Sequence, residues 1–263
     1  MKIIITILII LTFNSNNNFV LYKSIKTKAK FVTVDKLGNI YLVNNDEILK
    51  YDNNVNFLMS YSNKDLGKIT YVDVSDPLKV LVFYKDFGQI VFLDNTLSIK
   101  GDVLLLETYE LEQSTLACSS YESAFWVYEP NMYKLIRVDK NFQITQQSGN
   151  ITQLIGAEIS PNCLTENNNF IYLNDPKIGV LVFDRYGTYS KTIPFKGLTS
   201  FQIIGDKLIY TETSLIKTYN LKTLEETTTK LPEEKPLSVN VWQEKLYILN
   251  NKEINIYSII NKK

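Results

Sequence analysis

Five carboxylates stand at matching places along the chain: Asp46, Asp86, Glu129, Asp175 and Glu212. Each follows one apolar run and precedes the next, so each is expected in a hairpin turn. Tyr84, Phe87, Tyr128 and Tyr133 sit among them. Exposed aromatics mixed with acids suit a contact surface for another protein or a glycan. The plainer reading is that turns select Asp and Asn for backbone reasons alone. A second group, Asp73, Asp76, Glu166 and Asn167, carries hard oxygen ligands that would suit calcium. Its spacing is not that of a calcium loop, so the chain is expected to carry no cofactor and no metal site.

The chain contains no histidine. Histidine general bases, Ser-His-Asp and Cys-His nucleophile systems and histidine-ligated metals are therefore excluded. Lys and Arg together number 28, as do Asp and Glu, and only Arg137 and Arg185 are arginines. Nucleic-acid surfaces call for a basic excess and guanidinium forks, and neither is present. The two cysteines, Cys118 and Cys163, precede Trp126 by eight residues and Phe170 by seven. They read as equivalent positions on neighbouring repeats. A bridge between them would suit an exported protein. Two buried small hydrophobes are the favoured reading, because a bridge needs Cα atoms within about 7 Å.

The elements that position these residues repeat. An apolar run, a polar turn and a second apolar run end six times in Asp, Asn or Ser, at Asp52, Asp94, Asp139, Asp184, Asn220 and Ser258, with gaps of 42, 45, 45, 36 and 38. Strand pairs returning with a period near 40 mark a β-propeller, one repeat per blade. The expected fold is all-β: a six-bladed propeller with four-stranded antiparallel blades. In the first repeat the strands are expected over 31–34, 40–43, 48–51 and 57–60. Runs such as Val80–Phe83 and Val180–Phe183 are continuously apolar, as a strand covered on both faces requires. The segment 103–113 is the best helical candidate, or else an outer strand plus loop.

The last repeat ends without a fourth strand, while residues 19–26 have strand composition and no partner. An open ring would leave sheet edges and two blade faces bare. The N-terminal strand is therefore expected to join the last blade.

The run Asp35-x-x-Gly38-Asn39-Ile40-Tyr41, followed by Ile48 to Asp52, resembles an NHL-type repeat. That resemblance implies a six-bladed propeller. The stretch 72–95 (VDVSDPLKVLVFYKDFGQIVFLDN) is similar to a family of small exported bacterial propeller proteins without an assigned activity. It implies fold and export and supplies no catalytic residues. Some six-bladed propellers that resemble lactonases hold calcium with Glu, Asn and Asp, which implies the alternative of a calcium-dependent hydrolase.

Met1-Lys2, the apolar run Ile3 to Phe13 and the polar NSNNN follow the order of a signal peptide, too short to span a bilayer. The expected organisation is an export signal over 1–18 and one propeller domain over 19–263, periplasmic or secreted. The expected function is a non-enzymatic binding or scaffolding module of the cell envelope. The alternatives are the calcium-dependent hydrolase or lactonase and a structural subunit of an envelope-assembly complex whose blade edges add strands to a partner. The expected partner is a protein or a glycan, not a nucleic acid.

Overall fold

In the computed structural model the structure describes residues 18–260. Apart from Asn18, the expected export signal lies outside the described residues. Twenty-four strands form six four-stranded antiparallel sheets in a ring, a six-bladed propeller. Blades one to five follow chain order, from Phe31–Val34 in blade one to Glu226–Lys230 in blade five. Blade six takes three strands from the C-terminal repeat, Ser238–Trp242, Lys245–Leu249 and Glu253–Ile259. Its fourth is the N-terminal strand Phe19–Lys26, antiparallel to Glu253–Ile259, with Phe19 opposite Ile259 and Lys26 opposite Glu253. The ring is closed as the unpaired segment demanded.

The strand bounds of blade one match expectation closely: Phe31–Val34, Ile40–Val43, Glu47–Tyr51 and Phe57–Ser62. The third strands of blades one to five end at or one residue before the repeat's closing Asp or Asn, and that of blade six runs one past Ser258. The helical candidate 103–113 resolves into the short outer strand Leu104–Leu105 and the 3-10 turn Leu106–Tyr109.

The core lies between blades. Successive strand residues point to opposite faces, so a strand sandwiched between two neighbours must be apolar on both. Val80, Val82 and Tyr84 pack toward blade one, whereas Leu81 and Phe83 pack toward blade three. Six apolar clusters result, one at each blade interface, including that of blades six and one, where Tyr247 and Ile256 meet Ile40 and Leu42. The interface of blades five and six is the thinnest, with only Leu231, Leu246 and Ile248 fully buried.

This topology sets two ends. Strand order sends the second-to-third-strand hairpins and the blade-to-blade connections to one end, here the connection end. The first-to-second and third-to-fourth turns form the other, the turn end.

Candidate functional site

The residues that close the first five repeats clamp their own turns. Asp52 Oδ1 accepts the backbone N–H groups of Asn54 and Asn56 at 2.9 and 2.7 Å. Asp94 does the same with Thr96 and Ser98, Asp139 with Asn141 and Gln143, and Asp184 with Tyr186 and Thr188. Asn220 holds Lys222 and Thr223. Donors aimed at a carboxylate favour its charged form. Asp52 is accordingly held below the usual carboxyl range, first by the Asn56 N–H, and Asp94 likewise, first by the Thr96 hydroxyl. The marker that reveals the fold is thus structural.

The five hairpin carboxylates all fall on the connection end, but they do not form one exposed set. Asp86 is exposed in the Lys85–Phe87 turn, and Asp46 is half-buried. Glu212 is exposed and pairs with Lys217 Nζ at 2.6 Å. Glu129 and Asp175 are each only 1% exposed. Asp175 accepts the N–H groups of Lys177 and Ile178 from its own turn and that of Ser160 from the incoming connection. Glu129 accepts from Asn131 N and Ser114 Oγ, and burial pushes its carboxyl above the ordinary range. These two acids brace loops rather than face solvent. Among the aromatics, Tyr84 and Tyr128 are buried, with Tyr84 donating to the Tyr61 hydroxyl at 3.1 Å. Phe87 and Tyr133 are exposed, as are Met132 and Leu154 on the same end.

Asp73, Asp76, Glu166 and Asn167 lie instead at the turn end of blades two and four. Asp76, Glu166 and Asn167 line one open cleft of about 460 Å³ together with Ser119 and Tyr121 of blade three. Asp73 sits just beneath, with both carboxylate oxygens engaged by the N–H groups of Ser75 and Ser119, each at 2.8 Å. Glu166 accepts the Trp126 indole N–H at 2.9 Å, a contact between blades. Among the described residues no three acid or thiol side chains converge as metal ligands.

Sequence reasoning did not foresee the use made of the two arginines. The guanidinium carbons of Arg137 and Arg185 lie 3.8 and 4.1 Å from the centre of the Tyr121 ring, at the edge of this cleft. Arg137 also donates to Ser120, Thr145, Gln146 and the Tyr121 carbonyl. The only signal in the sequence was their rarity.

Cys118 and Cys163 are both free thiols. They are not equivalent in register: Cys118 stands opposite Trp126, whereas its counterpart in blade four is Thr165, opposite Tyr172. Burial raises both, Cys163 to about 12, so neither is a thiolate at neutral pH.

No protein-family model matches the chain, and no curated protein matches it. Solved structures share its fold at low identity. A chain of the mitotic checkpoint complex matches with a TM-score of 0.65 and 7% identity, over 98% of this chain and 100% of that one. Virginiamycin B lyase from Staphylococcus aureus matches at 0.64 and 14%, over 90% and 99%. A catalytically inactive variant of that lyase, with one histidine replaced by alanine and quinupristin bound, matches at 0.58 and 14%, over 87% and 80%.

Proposed function

We propose that this propeller is a non-enzymatic binding module that engages a partner protein through its connection end. One observation carries the reading: Phe87, Met132, Tyr133 and Leu154 are exposed on that end, beside the accessible carboxylates of Asp46 and Asp86. Large apolar side chains interleaved with charge are the composition of a protein contact patch. Among the fold neighbours, one works within a multi-protein complex and another is a lyase, so architecture leaves both uses open. The lyase becomes inactive when one histidine is replaced, and this chain has no histidine to supply that chemistry. Calcium-dependent hydrolysis has less support, because each Asp73 oxygen already accepts a backbone N–H and Glu166 accepts the Trp126 indole N–H. Export to the cell envelope belongs to the same proposal and rests on the order of residues 1–18.

The test is capture of a crosslinked partner by paired variants. Phe87→Asp with Tyr133→Asp, and separately Asp46→Lys with Asp86→Lys, should abolish capture while the melting temperature is kept. Lys36→Glu with Leu78→Asp, on the turn end, should leave it intact. The reverse pattern would place the working face on the other end. Millimolar calcium should not raise the melting temperature; a rise reversed by chelator would favour the hydrolase.

A second reading rests on the outer edge of blade six, where one side of Phe19–Lys26 pairs with no strand among the described residues and Val20, Leu21 and Tyr22 are exposed. A partner strand could add there. Proline at Leu21 would then block capture without touching the connection end.

A further inference from the structure

The same edge carries an unbalanced charge. The first 34 residues contain five lysines and no acid, and the remaining 23 cations face all 28 acids of the chain. Four of those lysines, Lys23, Lys26, Lys28 and Lys30, lie on the closing strand and the link to blade one, and all four are exposed. Other outer strands differ. Phe57–Ser62, Leu104–Leu105 and Ile144–Gln147 have no lysine, and Tyr189–Ile193 and Glu226–Lys230 have one each. Lone lysines on edge strands are a common guard against pairing. Four within eight residues exceed that need, and Lys28 and Lys30 lie beyond the strand.

Apolar surface adjoins the charge. Val20, Leu21 and Tyr22 are 51, 54 and 49% exposed, and the neighbouring outer strand of blade one exposes Phe57 and Leu58. The two blades are tied here, since Lys23 Nζ reaches the carbonyls of Asn54 and Val55 at 3.3 Å. A lysine stem can lie along apolar surface while its ammonium meets a polar layer. Two acids temper the field: Glu253 stands opposite Lys26, and Asp52 lies near Lys23. Neither cancels the excess. In sequence, the apolar run Ile3 to Phe13 ends six residues before the strand begins at Phe19.

We propose that the edge formed by the strand Phe19–Lys26 and the link to Lys30 docks on an anionic lipid surface. Lys26, Lys28 and Lys30 meet the headgroups, Lys23 adds its charge from its place against the Asn54 and Val55 carbonyls, and Val20, Leu21 and Tyr22 enter the interfacial layer. Polybasic segments gain roughly a fivefold partition per lysine at an anionic surface, and a few apolar side chains add a shallow insertion. The link to Lys30 is itself a blade-to-blade connection, so Lys28 and Lys30 border the connection end near the Asp46 hairpin, while Val20, Leu21 and Tyr22 stand toward the turn end.

The test is sedimentation of the full chain with vesicles of phosphatidylcholine alone and with 30% phosphatidylglycerol. The apolar run contributes to both, and the difference between them reports the lysines. The expected result is binding at least tenfold stronger to the anionic vesicles at 0.1 M salt, with the preference lost at 0.5 M. Replacing Lys23, Lys26, Lys28 and Lys30 by Gln should remove the preference. The same change at Lys36, Lys64, Lys85 and Lys177, elsewhere on the disc, should preserve it. Should the first quadruple variant not fold, Lys28→Gln with Lys30→Gln, off the strand, should still halve the logarithm of the preference. Equal binding to both vesicles, or equal loss with the control set, would overturn the proposal. Loss of protein capture by the connection-end variants would leave it untouched.

Discussion

Gly38 of blade one lies directly against the indole of Trp242 in blade six: a Cβ at position 38 would stand 2.6 Å from Trp242 Cη2. Gly38 also holds φ at +85°, a region that costs a residue with a Cβ about 1–2 kcal/mol. The glycine of the D-x-x-G-N turn therefore serves two needs, the turn itself and the closeness of the ring's closing seam. Gly38→Ala should cost about 2–4 kcal/mol, from backbone strain plus overpacking. Trp242→Leu should recover part of that loss. Urea melts of the single and double variants measure it; strict additivity would show that the indole is not the obstacle.

Deleting the closing strand tests the seam from the other side. Residues 19–26 cover Ile254 and Ile256, which lie in the cluster joining blades six and one. A chain starting at residue 31, compared with one starting at residue 18, should lose at least about 3 kcal/mol, since Phe19 and Ile25 alone remove that order of apolar burial. Hydrogen exchange should show the loss spreading through the thin blade five–six interface, where few apolar side chains are fully buried. A loss in Tm of under two degrees would show that the ring does not depend on this strand.

The blades and their closure were legible because turn chemistry and strand periodicity are local. Asp52 to Asn56 declares a turn by itself, and Val80 to Phe83 declares a doubly covered strand. The site was less legible because exposure is decided by distant segments. Glu129 and Asp175 look like Asp86 in sequence, yet Ser114 and Ser160, reached through the blade connections, close over them. The cleft at Tyr121 needs residues from three blades, and no spacing in one repeat announces that meeting. The register offset between Cys118 and Cys163 was hidden because the first-to-second-strand turns of blades three and four differ in length.

The buried Glu129 gives stability a pH dependence of known sign. Its carboxyl is raised by burial, so the folded chain keeps that proton to higher pH than the unfolded chain does. Stability contributed by the protonated group is present below the ordinary value of 4.5 and is lost as pH rises from there through the raised value. Asp52 and Asp94 act oppositely, losing their contribution as pH falls through their depressed values. Glu129→Gln can keep both turn contacts without the buried charge. It should stabilise the fold more at pH 7 than at pH 4, read by urea midpoints at each. An equal shift at both pH values would mean that Glu129 titrates alike in the folded and unfolded chains.

The clamped turns share a left-handed residue three positions after the Asp, and its burial decides what glycine does there. Leu97 sits at φ 59° and is 4% exposed, packed between blades one and two; Phe142 sits at φ 62° and is 42% exposed. Glycine would relieve about 1–2 kcal/mol of strain at either place and give back about 0.5–1 through unfolded-chain entropy. At Phe142 rather more than half of the side chain is covered, so the lost burial of about 1 kcal/mol offsets the relief and Phe142→Gly should leave Tm within about two degrees of the parent. At Leu97 the lost side chain costs about 2–5 kcal/mol including its cavity, so Leu97→Gly should lower Tm by several degrees. Identical shifts at the two positions would show that the backbone, and not the packing of the side chain between blades, governs these turns.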